Sequence, residues 1–432
     1  MAFLVLAAGP AQADPPRSNE WWLRALQVTS AWQTTRGSGV TIAVLDTGVD
    51  PAQPDLIGSV TTGPDYTNSG RTVGGPFWGI HGTEIASLIA GHGHGAQQAD
   101  GIIGIAPSAK VLSVRVTPES NDPQLANQTI ASALPDAIAR GIRWAVRHDA
   151  TVIDLPLDPV TTAGAAGSGG SAAEKAAVAY ALAKHVVLVA PAGDDGTGTN
   201  AVNYPAAYHG VIAVGAFDQH FVKAPFSSRQ RYVTVTAAGA GVTAANPSSL
   251  SATDPSKAYT QLNSTSAASA IVAGMAALIR AQFPDLTPAQ VTRALTTSTR
   301  FRQHGGQSEG SGSGTVDAAK ALTAAAGIAE TVSKAAASAA APSPPSPPAA
   351  NISPIHRDIR SKLIVDAAIA GIVFLLLLGS IFAIRAWRRR HARSARLAEV
   401  RAATQVPARK PATAKKGAAK KGAAKKGTGK KG

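Results

Sequence analysis

The sequence predicts an α/β fold, a doubly wound parallel sheet with helices on both faces, followed by one C-terminal transmembrane helix. Three observations carry this. Short strand-like runs alternate with helix-length segments between Val40 and Ser298, the spacing of successive βαβ units. The runs are apolar without a polar alternation, as strands covered on both faces must be. Finally, residues 363–384 form twenty-two positions with a single charge, Asp366, long enough at about 1.5 Å per residue to cross a hydrocarbon core of roughly 30 Å.

Residues 1–13 hold a short apolar run and the A-x-A pattern of residues 11–13 ahead of Asp14. This reads as the end of a signal peptide that lacks its basic start, so the natural N-terminus is expected upstream. A frayed terminus is the alternative. Residues 20–32 carry Trp21, Trp22, Leu23, Leu26, Val28 and Trp32, an amphipathic segment expected to pack on the main domain. Residues 40–45 (V-T-I-A-V-L) read as a buried strand ending in Asp46-Thr47-Gly48. A carboxylate at a strand's C-terminal end lies where open α/β sheets place their sites. His81-Gly82-Thr83 precedes a helical run at 84–90.

Strands are expected at 110–116, 151–155, 185–191 and 211–216, with helices at 134–148, 172–184 and 284–298, the last with Pro288 near its first turn. Residues 261–274 (Q-L-N-S-T-S-A-A-S-A-I-V-A-G) run from small polar side chains straight into an apolar helix over 267–279. Ser264, Thr265 and Ser266 are N-cap candidates there. A serine at such a place also sits beside unpaired N–H groups and the positive end of the helix dipole, where developing negative charge is stabilised.

Beyond Thr331 the composition changes. Residues 14–330 form the main domain, and 331–362 an Ala/Pro/Ser-rich linker whose P-S-P-P-S-P-P run is an extended spacer. Residues 363–384 form the membrane helix and 385–432 a basic low-complexity tail. The formal charge of +15 belongs to that tail, which has 17 Lys and Arg against one acid, Glu399. The arginines directly after the apolar span place the C-terminus in the cytoplasm and the main domain outside it. The tail's nearest partner is then anionic lipid headgroup. Nucleic acid is disfavoured, because no aromatic residues interleave the lysines of the A-A-K-K-G repeat at 414–432 to support base stacking. A purely solvated tail that fixes topology is the third reading. Cysteine is absent, which excludes disulfides, thiolate zinc sites and cysteine nucleophiles. His92 and His94 in G-H-G-H-G have no accompanying carboxylate pair in the sequence and are set aside as metal ligands. No metal or cofactor is expected.

Asp46, His81 and Ser266 each stand at the border of an element, in the order Asp, His, Ser. A serine hydroxyl becomes a nucleophile when an imidazole takes its proton and a carboxylate holds that imidazole in the right tautomer. The segments T-I-A-V-L-D-T-G-V-D (41–50), H-G-T-E-I-A-S-L-I-A-G (81–91), G-I-I-G-I-A-P-S-A-K-V-L-S-V-R-V (101–116), Y-P-A-A-Y-H-G-V-I-A-V-G-A (204–216) and S-T-S-A-A-S-A-I-V-A-G (264–274) resemble subtilisin-like (S8) serine proteases. Within them the chain is most similar to the mycosins, membrane-anchored proteases of type VII secretion. The resemblance covers about residues 20–322. It implies a subtilisin-like fold, a hydrolase acting on a protein or peptide substrate, the triad Asp46, His81 and Ser266, and contacts with secretion-complex membrane proteins and the bilayer.

Four departures stand out. Where the family has an Asn that donates to the oxyanion, this chain has Asp194. An ionised carboxylate cannot donate, and loss of that donor costs about 10²–10³ in rate, a value measured on subtilisin itself. Only a proton retained by burial would let Asp194 serve. The Gly of the family's G-T-S is Ser264, expected to bring backbone strain if that Gly serves an unusual angle. The substrate-binding strand I-N-x-S-x-G becomes Ile153-Asp154-Leu155-Pro156-Leu157-Asp158, where Pro156 removes a donor and Asp158 adds a charge. The Pro of the serine motif is Ala270, a mild change. Leu155, Pro156, Leu157 and Asp158 are thus the expected substrate-binding residues and Asp194 the oxyanion residue. The scaffold motifs are intact and the cleft is altered. The alternative to a protease is therefore a catalytically impaired structural subunit of a secretion complex.

Overall fold

The computed structural model describes residues 15–157, 170–301 and 308–340. Three short helical turns, α1 (Pro15–Ser18), α2 (Trp21–Ala25) and α3 (Val28–Ala31), come first. They pack as the aromatic pattern suggests. Trp22 is fully buried, Trp21 Nε1 donates to Gly241 O at 3.1 Å and Trp32 Nε1 donates to Ile105 O at 2.8 Å. Strands β1 (Thr41–Asp46) and β2 (Val60–Asp65) follow, then helix α4 (Ile80–Ala90) and the small antiparallel pair β3 (His92–His94) and β4 (Asp100–Ile103). Next come β5 (Lys110–Arg115), α5 (Gln128–Arg147), β6 (Val152–Asp154), α6 (Ala172–Ala183), β7 (Val187–Pro191), β8 (Ile212–Phe217) and β9 (Val233–Ala238). A hairpin of β10 (Ala240–Ala245) and β11 (Tyr259–Asn263), with the turn α7 (Ser248–Ser251) between its strands, leads into α8 (Thr265–Gln282), α9 (Pro288–Thr297) and α10 (Ala318–Ala340).

The seven-stranded sheet has the order β2-β5-β1-β6-β7-β8-β9, and every neighbouring pair is parallel. The sequence expectation of a doubly wound sheet is met, and the physical reason is visible in β1. Its alternate residues serve two cores: Ile42 and Val44 pack with Ile85, Leu88 and Ile271 from α4 and α8 on one face. Ala43 and Leu45 pack with Ile142 and Val178 from α5 and α6 on the other. A strand buried on both faces has no polar side to alternate, hence the continuous apolar run. Helix α8 runs through the middle of its layer and is buried from Thr265 to Ile279. Each fully buried Ile or Leu there contributes about 1.5–3 kcal/mol relative to exposure.

Several boundaries differ from the sequence expectation. Helix α4 starts at Ile80, so His81 lies in its first turn and not in the loop ahead of it. Helix α5 starts at Gln128, capped by the Asn127 side chain on Thr129 N and anchored by buried Ile130 and Leu134. Helix α10 continues past residue 330 to Ala340, because its alanines favour helix more strongly than the change of composition suggests. Strand β2 had no sequence signal, since it is an edge strand with mostly part-exposed residues and an internal Gly-Pro.

The chain divides into two units, Met1–Ala341 and Pro342–Gly432. Residues 1–13, most of the linker, the apolar span 363–384 and the basic tail 385–432 lie outside the described residues. Among the described residues no helix is long and apolar enough to cross a membrane.

Candidate active site

The C-terminal ends of β1, β6 and β7 and the N-termini of α4 and α8 converge on one cleft of about 310 Å³. It is lined by Asp46, His81, Pro156, Asp194, Ser264 and Ser266, among others. A larger groove of about 840 Å³ beside Tyr208, Tyr232 and Pro288 contains none of the three triad candidates. The smaller cleft is where the chemistry-bearing residues meet.

Asp46 is buried at the end of β1. Its Oδ1 accepts the Thr47 N–H at 2.6 Å, and its Oδ2 lies 2.8 Å from His81 Nδ1, with Oδ1 at 3.0 Å. The pair is brought together by close packing of α4 on the turn after β1. A Cβ on Gly82 would lie 1.9 Å from Gly48 O, so only glycine lets the helix approach this far. Burial opposes a charge on the His81 imidazole, but Asp46, with Glu84 and Glu119 adding to it, outweighs this and raises the His81 pKa above its ordinary 6.5.

Ser266 lies in the first turn of α8 and is 3% exposed. Its hydroxyl donates to Pro156 O at 3.2 Å. Among the described residues no hydrogen bond joins Ser266 to His81. The two N–H groups at this helix start are also taken. Ser264 Oγ accepts the Ser266 N–H at 2.8 Å, and Asp194 Oδ1 accepts the Thr265 N–H at 2.8 Å. Asp194 is only half-buried, and its carboxyl oxygen is used here as an acceptor. The expectation of strain at Ser264 is corrected. Its φ of −158° and ψ of 146° are extended, a region open to any residue, and its side chain caps the helix as the N-cap reading anticipates.

Of the expected substrate-binding residues, Pro156 and Leu157 line the cleft. Leu155 is fully buried in the α5/α6 core, and Asp158 lies outside the described residues. His94 Nδ1 bonds Asp55 Oδ1 at 2.6 Å and His92 Nε2 lies 2.9 Å from Ile57 O. Among the described residues no group of three or more His, Asp or Glu side chains converges as a metal site.

Three carboxyl groups beneath and beside His81 had no signal in the sequence, because burial is decided by tertiary packing. Burial raises Glu84 to about 7 against the opposing pull of His81. Burial also raises Glu119, which accepts the Ile80 N–H at 2.6 Å. Asp154, at the end of β6, is fully buried. Burial raises its pKa well above the ordinary 3.8, against the opposing pull of Ser269 and His81.

The sequence profile of the subtilase family matches residues 37–314. Subtilisin DY of Bacillus licheniformis is 34% identical over 272 residues, 62% of this chain and 85% of that protein. Among solved structures, the MycP3 protease from the type VII (ESX-3) secretion system superposes with a TM-score of 0.54 at 30% identity, covering 72% of this chain and 90% of that one. MycP1 from Mycobacterium smegmatis gives 0.54 at 27% identity over 72% and 87%.

Proposed function

The chain belongs to the subtilase family of serine endopeptidases, and from this premise we propose that it is a membrane-anchored extracytoplasmic protease of mycosin type that serves protein secretion. The observation that carries the reading is the Asp46–His81 pair, bonded at 2.8 Å and opening on the same cleft as Ser266. In the reaction, the Ser266 hydroxyl leaves the Pro156 carbonyl and turns to His81. The imidazole accepts its proton as Ser266 Oγ attacks the scissile carbonyl of a protein substrate. Asp46 holds the tautomer and stabilises the imidazolium. His81 then returns the proton to the leaving amine, and water releases the acyl group by the same route. No cofactor enters the scheme.

The similarity to the MycP3 protease supports the secretion context, with membrane proteins of a secretion complex as partners. The apolar span 363–384 supports a single-pass anchor in the cell membrane with the basic tail in the cytoplasm, near anionic lipid. The layout proposed is a truncated signal-peptide-like segment at 1–13, a peptidase domain over 14–330, a linker over 331–362 and the anchor and tail beyond. Carbonate extraction and protease protection of the full chain in membranes test the anchor. A chain released by carbonate overturns it.

The catalytic reading is tested with a fluorophosphonate probe on the full-length chain. Labelling is expected in the wild type and not in Ser266→Ala. An unlabelled wild type with intact fold overturns it. A second reading, a quiescent protease kept as a structural subunit, is favoured by the occupied N–H groups at Thr265 and Ser266. Under that reading Ser266→Ala leaves secretion unchanged while deletion of the chain abolishes it.

A further inference from the structure

Helix α4 carries His81 but begins without a cap of its own. Gly79, in the left-handed region at φ 70°, precedes it, and no side chain at that position accepts a first-turn N–H. Those groups need partners, since an unpaired buried N–H is costly. They find them across the cleft. Glu119, on the loop after β5, takes the Ile80 N–H on Oε1 at 2.6 Å, and its Oε2 lies 3.5 Å from His81 N. Thr47 Oγ1 takes the Gly82 N–H at 3.1 Å, and the Thr47 side chain is hydrogen-bonded to Glu119. Glu119 is 4% exposed. A carboxylate is kept so deep only where hydrogen bonds and a favourable field compensate for its lost hydration, and a helix N-terminus supplies both.

The loop that bears Glu119 is braced in turn. Asp122 N donates to Glu119 O at 2.9 Å, and the Asp122 carboxylate holds Arg71 through Nε at 3.0 Å and Nη2 at 2.5 Å. The same loop, from Thr117 to Ser120, lines the cleft.

We infer that Glu119 is a positioning residue for His81, capping the histidine helix in trans and tying it to the cleft wall. It touches neither the nucleophile nor the scissile bond. It acts by fixing the first turn of α4 and by adding negative charge beside the imidazole. The other charged or titratable groups that face His81 are Asp46 from β1, Glu84 from α4 itself and Asp154 from β6. Arg115 from β5 faces Glu119.

The inference rests on the triad reading, so its test has one arm that needs no catalysis. In the full-length chain, the His81 imidazole is titrated by NMR in the wild type and in Glu119→Gln, with His81→Gln used to assign its signal. Removing the carboxylate charge is expected to lower the His81 pKa. In the second arm, the fluorophosphonate labelling rate of Ser266 is followed against pH. The acid limb of Glu119→Gln is expected to move to lower pH. Glu119→Ala, which also loses the cap, is expected to label about 10- to 100-fold more slowly at every pH, the scale on which a misplaced group costs rate. If Glu119→Ala does not fold, Glu119→Gln carries both arms. An unchanged titration together with wild-type labelling in the variants overturns the inference and leaves the triad standing. An unlabelled wild type removes the triad, and a lowered His81 pKa in Glu119→Gln still supports the role of Glu119.

Discussion

The Ser264 hydroxyl accepts the Ser266 N–H at 2.8 Å, so the nucleophile candidate's own amide is committed to its neighbour two residues back. A backbone N–H at this place is the donor that an attacking serine uses to stabilise the oxyanion it creates. The same bond that caps α8 therefore competes with catalysis.

Ser264→Gly is expected to free that donor. Glycine at an N-cap costs only a few tenths of a kcal/mol relative to serine, so the fold should survive. The labelling rate of Ser266 should rise about tenfold or more, on the scale set by loss of one oxyanion donor in subtilisin. A slower variant would mean that the Ser264 hydroxyl itself assists the reaction.

Asp194→Asn supplies an amide N–H in the cleft, while its carbonyl keeps the bond to Thr265 N. Peptidase activity at neutral pH is expected to rise, by up to about 10²-fold. Combining it with Ser264→Gly should give more than either alone. Kinetics with a casein-type substrate decide this, and an unchanged rate would place the limitation elsewhere in the cleft.

Activity should show an alkaline acid limb. Only neutral His81 accepts a proton, and its pKa lies above 6.5. The rate therefore rises with pH through that raised value. Asp46→Asn removes the charge that raises it. The limb should move to lower pH and the maximal rate fall about 10⁴-fold, the scale of the same change in an enzyme with an established Ser-His-Asp triad. A labelling-rate profile from pH 5 to 10 measures both.

Asp154→Asn is expected to stabilise the fold at neutral pH. The folded-state pKa of Asp154 lies well above 3.8, so its contribution to stability is fully present below 3.8 and is lost as pH rises toward the folded value. Asparagine has no such loss. The variant's Tm should exceed the wild type's at pH 7, by about 2–4 °C for each kcal/mol recovered, and the difference should vanish near pH 3.5. Thermal unfolding at the two pH values checks it.

Gly82→Ala should disrupt the Asp46–His81 pair, because its methyl would meet Gly48 O at 1.9 Å. Overpacking of this kind costs about 1–3 kcal/mol or more. A lower Tm with loss of Ser266 labelling is expected.

The sequence by itself determined the sheet and singled out Asp46, His81 and Ser266 as the triad candidates. Continuous apolar runs are the direct consequence of strands covered on both faces, and Asp46, His81 and Ser266 sit in local motifs whose glycines and caps act over a few residues. Chain order then placed them at element borders. The run 261–274 was readable both as a cap and as a nucleophile, and it is the tertiary structure that gives the cap to Ser264 and the cleft position to Ser266. Only the folded chain decided that Ser266 turns to Pro156 and that Asp194 accepts the Thr265 N–H. It also decided that Glu119 and Asp154 are buried beside the histidine. These depend on contacts between residues tens to more than a hundred positions apart, and burial, the force that sets their protonation, has no signature in a run of neighbouring letters.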